Sequence, residues 1–351
     1  MGKQKGNGTI MHDRFDFRQS SDCIMSAMTN IMRYNGFDLP DALIYGLGEG
    51  YFFWYADLAP DESPPVLIGK NVFLEHRLFE NIGASLTVHE PVSPPEIEAS
   101  YAHITAGTPT VIKADPYYFT YIDWPGGDAL HFGEHVLIVV SIEGQTAYLA
   151  DVFEDGIVAV PLTELRAARG SVHGMEAMHP RHRWYQVTYP DTLGDPRKAV
   201  HGALDNMLRH MFDSEGDFGL AGIERAAGLY TDRLRQYLDT DLGQFAGACQ
   251  AGGGRMLEGH CGAFNRGMFE RFMVLAAHML DKPALSNPVL ESQALRSWQT
   301  LGDLIMQKSE TALRAPDAPD LGDFDAIDEA FAEAVENEKA LCRSIDHALA
   351  A

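Results

Sequence analysis

The sequence predicts an α+β protein whose mixed N-terminal part precedes an all-α C-terminal part. Runs of β-branched and aliphatic residues at 108–114 and 135–142 predict buried strands. From about residue 197 onward strand signals nearly vanish, and apolar residues recur at helical spacing. We therefore predict two domains, a mixed one at residues 10–192 and a helical one at 193–351.

Hydrophobic periodicity and turn residues locate the individual elements. A helix that starts at Cys23 is expected to stop at Asn35-Gly36, and residues 135–142 and 146–152 form a hairpin around a Gly-containing turn. Helical spacing predicts further helices at 71–82, 200–211, 268–279, 295–305 and 324–349. The Gly- and aromatic-rich run at 45–55 is expected to supply core or pocket wall, because its glycines do not match the dinucleotide fingerprint.

Length and composition exclude several classes of protein. The 351 residues, 46% hydrophobic and 22% charged, suit an ordinary globular protein of two domains. No apolar run reaches the roughly 18 residues that span a bilayer, so no membrane association is predicted. Residues 1–9 lack the apolar segment of a signal peptide. The four cysteines are widely scattered, which argues against a disulfide framework and favours the cytoplasm.

The net charge of −23 limits the choice of partner. A nucleic-acid-binding protein normally has a basic surplus, so no nucleic-acid partner is predicted. A strongly acidic field suits a cationic small molecule such as a polyamine or an amino sugar. The acidity also has a simpler explanation, since a large net charge keeps proteins soluble.

Cys23 is the strongest candidate for a reactive residue. It follows Ser20, Ser21 and Asp22, which are all suitable N-cap residues, and it precedes a helical apolar pattern. In the first helical turn, unpaired backbone N–H groups and the positive end of the helix dipole favour a thiolate over a thiol. A thiolate nucleophile requires a base nearby and a third group that orients the base.

The predicted hairpin supplies both groups. His135 begins its first strand, and Asp151 lies near the end of its second strand. The two positions fall within a residue or two of cross-strand register, where opposed Cβ atoms are about 5 Å apart. A carboxylate there can hold one imidazole nitrogen and leave the other for Cys23. Singly, each residue has an ordinary structural explanation. Together, in this order, they predict a catalytic triad.

Gln19 lies four residues before Cys23, where papain-like and bacteriocin-leader-type cysteine peptidases place an oxyanion-hole glutamine. The order Cys, His on a strand, Asp on the next strand is also the order in those enzymes. Gln19 has the alternative role of capping a loop.

Several segments resemble one family. They are Cys23, residues 34–36, 45–55 (YGLGEGYFFWY), 114–121 (ADPYYFTY), 131–135 (HFGEH) and 149–151 (LAD). Together they resemble the N-terminal domain of the butirosin biosynthesis protein H family. Residues 217–223 and 262–272 resemble the helical domain that commonly follows it, so the resemblance spans roughly residues 12–312. It implies a papain-like fold and the transfer of an acyl group from a carrier-protein thioester to an amine.

The resemblance also implies roles for three residues: the nucleophile is Cys23, the base His135 and the orienting acid Asp151. It implies no substrate, and the oxyanion role of Gln19 rests on its position before Cys23. The predicted substrate-binding residues are Tyr55, Tyr118, Tyr121 and His131. The loop from Cys249 to Cys261 departs from the family pattern and leaves the acceptor undefined.

No cofactor and no metal are predicted. Cys249, His260 and Cys261 match no zinc spacing and lack a fourth ligand. The glycines at 252–254 lack the Lys-Ser/Thr of a phosphate-binding loop.

The predicted function is a cysteine-dependent acyltransferase of secondary-metabolite biosynthesis, which forms an amide from an acyl thioester and an amine through Cys23. A cysteine amidase or peptidase with the same triad, or a non-catalytic binding module, are the alternatives. An acyl carrier protein as donor is usually acidic, so it would need a basic patch. The densest basic cluster is Arg166, Arg169, Arg181 and Arg183. A homodimer is compatible with the long, partly apolar helical domain.

Overall fold

The computed structural model describes residues 15–57, 65–106, 108–123, 131–174, 176–240, 242–257, 263–314, 321–322 and 324–351. The chain divides into two compact units. The first comprises the described residues within 1–44 and 84–191, and the second those within 45–83 and 192–351.

The helices and strands follow in chain order. They are α1 (Cys23–Tyr34), α2 (Asp41–Leu47), β1 (Tyr51–Ala56), β2 (Val66–Lys70), α3 (Leu74–Asn81), β3 (Ser85–His89), α4 (Pro94–Thr105), β4 (Thr110–Ala114), β5 (His135–Glu143), β6 (Thr146–Ala150), β7 (Ile157–Pro161), α5 (Leu162–Arg169), β8 (Trp184–Thr188), α6 (Pro196–Phe212), α7 (Gly219–Thr240), α8 (Leu242–Cys249), α9 (Arg255–Leu257), α10 (Arg266–Leu280), α11 (Pro288–Arg314) and α12 (Asp325–Ala350).

An antiparallel sheet of six strands is the centre of the first unit. Its strand order is β3-β8-β4-β5-β6-β7. β5 is buried over most of its length because its residues are nearly all β-branched or aliphatic. The apolar face of α1, with Met25, Met28 and Met32 fully buried, packs on β5. The end of the sheet at which β5 begins and β6 ends therefore lies beside the helix that begins at Cys23.

The second unit is mainly helical. It contains α3, α6 to α12 and the antiparallel pair β1-β2. The predicted α+β class with a C-terminal helical region is confirmed. None of the helices in the described part of the chain is long and apolar enough to cross a membrane.

Residues 45–83 differ from their expected grouping. The sequence placed them with the mixed domain, whereas in the structure they pack in the second unit. Tyr51, Phe53 and Tyr55 alternate along β1 and are at most 1% exposed. Phe53 stacks on Trp298 with ring centroids 5.5 Å apart. These three large aromatic side chains are thus part of the core of the helical unit.

A buried ionic network stabilises that core. Glu338 of α12, which has no exposed surface, accepts hydrogen bonds from Arg266 Nε and Trp298 Nε1, both at 2.6 Å, and from the Tyr51 hydroxyl. Arg266 also donates to the Gly69 carbonyl at 3.1 Å. The Glu338 carboxylate therefore compensates the positive charge of Arg266, which is only 2% exposed.

We expect Glu338→Ala to destabilise the protein by about 3–5 kcal/mol, because it leaves the buried Arg266 charge without its partner. Chemical denaturation would measure this change. Glu333→Ala, on an exposed position of the same helix, is the matched control and should change stability by less than about 0.5 kcal/mol. Equal effects of the two substitutions would contradict the assignment.

Candidate active site

Cys23 is the first residue of α1, as the capping pattern predicts. Asp22 is the N-cap residue in extended conformation, and its Oδ1 accepts from the Met25 N–H at 3.0 Å. The Cys23 side chain is partly exposed and its thiol is free. The first N–H groups of the helix point toward this position, so an anion at Cys23 is electrostatically favoured.

The segment before Cys23 is fixed to α1 by short-range hydrogen bonds. The Asn30 side chain donates to the Arg18 carbonyl at 2.7 Å and accepts from the Arg18 N–H at 2.9 Å. The Ser20 N–H donates to Ser26 Oγ at 2.9 Å. These contacts hold Gln19 at a defined place.

Gln19 connects this segment to the hairpin. Its Nε2 donates to the Val152 carbonyl at 2.9 Å, one residue after Asp151. An amide nitrogen carries two hydrogens, so one remains for another acceptor. The loop-fixing role and the oxyanion role are therefore compatible, and the latter remains a prediction.

His135 and Asp151 form a buried pair, as the hairpin predicts. His135 Nε2 lies 2.9 Å from both carboxylate oxygens of Asp151. The two residues are 3% and 1% exposed. His135 also interacts with Cys23, which contributes to raising the pKa of the imidazole. Because Nε2 faces Asp151, Nδ1 is the ring nitrogen that remains for the thiol.

A β-bulge sets the register of this pair. The ladder between β5 and β6 shifts by one residue between Val139 and Ser141. Extending the shifted register by one residue beyond β6 puts Asp151 on the same face of the sheet as His135. In the unshifted register Asp151 would lie on the opposite face, because side chains alternate. The bulge thus allows the His135 and Asp151 side chains to reach each other.

The pair is coupled electrostatically. Burial of the imidazole acts against its protonation, but the charge and hydrogen bond of Asp151 and the contact with Cys23 outweigh it and raise the pKa of His135 to about 10. Burial of the Asp151 carboxyl acts to raise its pKa, but His135, Tyr121 and the Phe153 N–H outweigh it, so that pKa is lowered. The favoured state at neutral pH is an imidazolium held by a carboxylate.

Tyr121 has a role that the sequence did not predict. It was expected to bind substrate, but its hydroxyl donates to Asp151 Oδ2 at 2.6 Å. Phe153 adds a second contact, since its ring lies 5.2 Å from the His135 ring. Tyr121 thus supports the carboxylate. Only the tyrosine-rich composition of 114–121 gave any signal of this in the sequence.

We expect Tyr121→Phe to lower the turnover of an acyl thioester about tenfold, because it removes one hydrogen bond from a buried carboxylate. Steady-state kinetics would measure the change. Tyr148→Phe, in the neighbouring strand β6, is the control and should stay within about twofold of the unmodified protein. A normal rate in Tyr121→Phe would contradict a supporting role for this hydroxyl.

The other predicted substrate-binding residues occupy different places. His131 is bound to Asp115, with Nδ1 and Oδ2 2.6 Å apart, and the Tyr118 ring lies 6.1 Å from the His131 ring. Tyr55 instead belongs to the core of the second unit, where its ring is 1% exposed. That burial gives Tyr55 a packing role.

The arginine cluster predicted as a docking patch is already engaged. Arg169 is fully buried and donates to Ser100 Oγ and the His182 carbonyl. Ion pairs neutralise the other three: Arg166 with Glu98, Arg181 with Glu90, and Arg183 with Glu134 and Glu90. The cluster therefore presents little uncompensated positive charge.

The structure describes the loop from Cys249 to Cys261 only in part. Cys249 ends α8 and is fully buried, and burial raises the pKa of its thiol to about 12. His260 and Cys261 lie outside the described residues. Within the described ranges, no group of three or more histidine, cysteine, aspartate or glutamate side chains is arranged to hold a metal ion.

A family model matches the part of the chain that contains this site. No curated protein matches the chain. A family model described as butirosin biosynthesis protein H, N-terminal, matches residues 22–152. That range begins one residue before Cys23 and ends one residue after Asp151. It does not include 217–223 or 262–272, whose resemblance to a helical domain remains a prediction. The resemblance inferred from the sequence is confirmed over residues 22–152, which are similar to the N-terminal domain of the butirosin biosynthesis protein H family.

Proposed function

We propose that the protein is a cysteine-dependent acyltransferase that forms an amide from an acyl thioester and an amine. The observation that carries the proposal is the buried His135–Asp151 pair, whose imidazole interacts with Cys23. Cys23 is at a helix N-terminus, and all three residues lie in the segment that matches a natural-product biosynthesis family. An amide product follows from the chemistry of a thioester, which loses its thiolate more easily than an amine leaves an amide.

In the first step the Cys23 thiolate attacks the thioester carbonyl. The carbon–sulfur bond of the donor breaks, and the donor leaves as a thiolate that takes a proton from solvent. The His135 imidazolium stabilises the thiolate before attack, and Asp151 keeps the imidazole oriented and charged. The Gln19 amide and the Cys23 N–H are the proposed donors to the oxyanion. An acyl group then remains on Cys23.

In the second step an amine attacks the acyl-enzyme. A carbon–nitrogen bond forms, the bond between the acyl carbon and Cys23 sulfur breaks, and the thiolate is restored. Water must be kept from the acyl group while the amine binds, or the product is an acid. The net charge of −23 favours a cationic acceptor such as a polyamine or an amino sugar.

The ion pairs of the arginine cluster affect which acyl donor we propose. A carrier protein is acidic, and the cluster at 166–183 offers it little free positive charge. A low-molecular-weight thioester needs no such patch. We therefore propose a small acyl thioester as the first donor to test, with a carrier-bound thioester as the second.

The experiment is incubation with an acyl thioester of N-acetylcysteamine and 1,4-diaminobutane. The acyltransferase produces the monoamide, and Cys23→Ala does not. Free acid as the sole product, formed at the same rate with and without diamine, would refute transfer and favour the amidase. Equal amide formation by Cys23→Ala would refute catalysis by this cysteine.

A further inference from the structure

A second histidine–aspartate pair lies in the first unit. His131 Nδ1 and Asp115 Oδ2 are 2.6 Å apart. Asp115 is fully buried and also accepts from Ser171 Oγ at 2.7 Å and from the Tyr117 N–H at 3.2 Å. Because the carboxylate accepts the Nδ1 proton, the lone pair of the neutral imidazole is on Nε2.

This pair is next to the triad on the sheet. Ala114 is the last residue of β4, and it pairs directly with His135, the first residue of β5. Paired residues of antiparallel strands have Cα atoms about 5 Å apart. Asp115 follows Ala114 immediately, so it leaves the sheet at the edge where His135 enters it. The aspartates of the two pairs thus follow the ends of β4 and β6, the strands on either side of the one that begins at His135.

The second ring nitrogen of His131, Nε2, differs from Nδ1 in its contacts. Among the described residues, no hydrogen-bond partner contacts Nε2, whereas Nδ1 is fully committed to Asp115. The side chain is 10% exposed. Aromatic rings fix its plane: Tyr117 lies 4.4 Å away and His173 stacks at 4.6 Å. These contacts hold the imidazole in one orientation.

The proposed reaction needs a proton acceptor that His135 is poorly suited to provide. Asp151 and Cys23 keep His135 protonated, with a pKa raised to about 10 against the effect of burial. An attacking amine must lose a proton as its nitrogen bonds to the acyl carbon. A separate imidazole lets His135 remain an imidazolium through both steps.

We infer that His131, oriented by Asp115, is the general base that removes the proton from the acceptor amine. The inference rests on the proposed acyltransferase function. The amine attacks the acyl carbon, its proton moves to His131 Nε2, and the electron pair of the breaking carbon–sulfur bond returns to Cys23. The products are the amide, the Cys23 thiolate and a His131 imidazolium, which releases its proton to solvent.

Measuring acylation and amide formation separately distinguishes the proposed role of His131 from that of the triad. Rapid mixing of the full-length protein with an N-acetylcysteamine thioester measures acylation as thiol release. Addition of 1,4-diaminobutane to the acyl-enzyme measures amide formation. His131→Gln is expected to acylate within about twofold of the unmodified rate. It should form amide about 10²–10³ times more slowly, the range for loss of a general base.

His89→Gln is the matched control, because His89 is another partly buried histidine of this unit that stacks on a ring, Trp184 at 3.9 Å. Both of its half-reactions should be unchanged. Asp115→Asn should slow amide formation selectively, as expected of a positioning residue. Added imidazole should partly restore amide formation in His131→Ala, which a merely structural role for His131 would not allow.

The outcomes are distinguishable. If the unmodified protein acquires no acyl group, the proposed function is wrong and this inference falls with it. If the unmodified protein is acylated and transfers normally, but His131→Gln transfers at the same rate, only the inference is wrong. Equal slowing of acylation and amide formation, without imidazole rescue, would also overturn it.

Discussion

Replacing His135 with alanine is expected to slow the alkylation of Cys23 by about 100-fold, because it removes the positively charged imidazole beside the attacking sulfur. Burial acts to lower the pKa of His135, but Asp151 and Cys23 outweigh it and raise that pKa to about 10, so the ring is charged in the native site. Reaction with iodoacetamide, followed by peptide mapping, measures the rate at Cys23 itself.

The other described cysteines provide an internal reference. Cys249 and Cys342 are fully buried, and burial raises the pKa of each thiol to about 12. They should therefore remain unmodified in the folded protein. His103→Ala, a partly buried histidine beside Trp184, is the matched control and should leave the Cys23 rate unchanged. Equal alkylation rates in the His135→Ala and unmodified proteins would contradict the thiolate–imidazolium pair.

Asp151→Asn is the second substitution with a large expected effect. We expect amide-forming turnover to fall by about 10³–10⁴-fold, since an amide neither stabilises the imidazolium nor fixes its orientation as a carboxylate does. The alkaline limit of activity should also move from about pH 10 toward the ordinary histidine value of 6.5, because the main positive influence on the His135 pKa is lost. A pH–rate profile of thioester turnover measures both changes.

The same pair affects stability in a defined pH window. The raised pKa of His135 contributes stability below its ordinary 6.5, which is lost as the pH rises through about 10. The lowered pKa of Asp151 contributes stability above its ordinary 3.8, which is lost as the pH falls through the folded-state value. The stabilisation by the pair is therefore largest between about pH 4 and 6.5. Asp151→Asn should flatten this part of the stability profile, and an unchanged profile would contradict the coupling.

The sequence predicts those parts of the site that depend on local pattern. The N-cap residues before Cys23 and the apolar spacing after it place the thiol at the start of α1, where the structure has it. The hairpin that carries His135 and Asp151 follows from two β-branched runs and a glycine turn. These features depend on neighbours in the chain, so a single sequence is sufficient.

Features that depend on tertiary contacts were not predicted. The bulge between Val139 and Ser141 leaves no signal in a run of apolar residues, although it determines the face on which Asp151 lies. Tyr55 was predicted to bind substrate, and it lies in the Gly- and aromatic-rich run that resembles the family. Its alternation with Tyr51 and Phe53 instead serves the core of the helical unit.

Charge patterns were similarly misleading at the arginine cluster. Four arginines within residues 166–183 suggest a basic surface in the sequence. In the structure their partners, such as Glu90, Glu98 and Glu134, come from distant segments and neutralise them. The sequence shows that these arginines are close together in the chain. It does not show that folding places glutamates from other segments beside them.

The most direct test of the central claim is intact-mass analysis after mixing the protein with an N-acetylcysteamine thioester. The proposed mechanism predicts a mass increase of one acyl group, which peptide mapping assigns to Cys23 and which 1,4-diaminobutane removes as the monoamide. Absence of any adduct, or an adduct on another residue while Cys23→Ala still forms the amide, would contradict it.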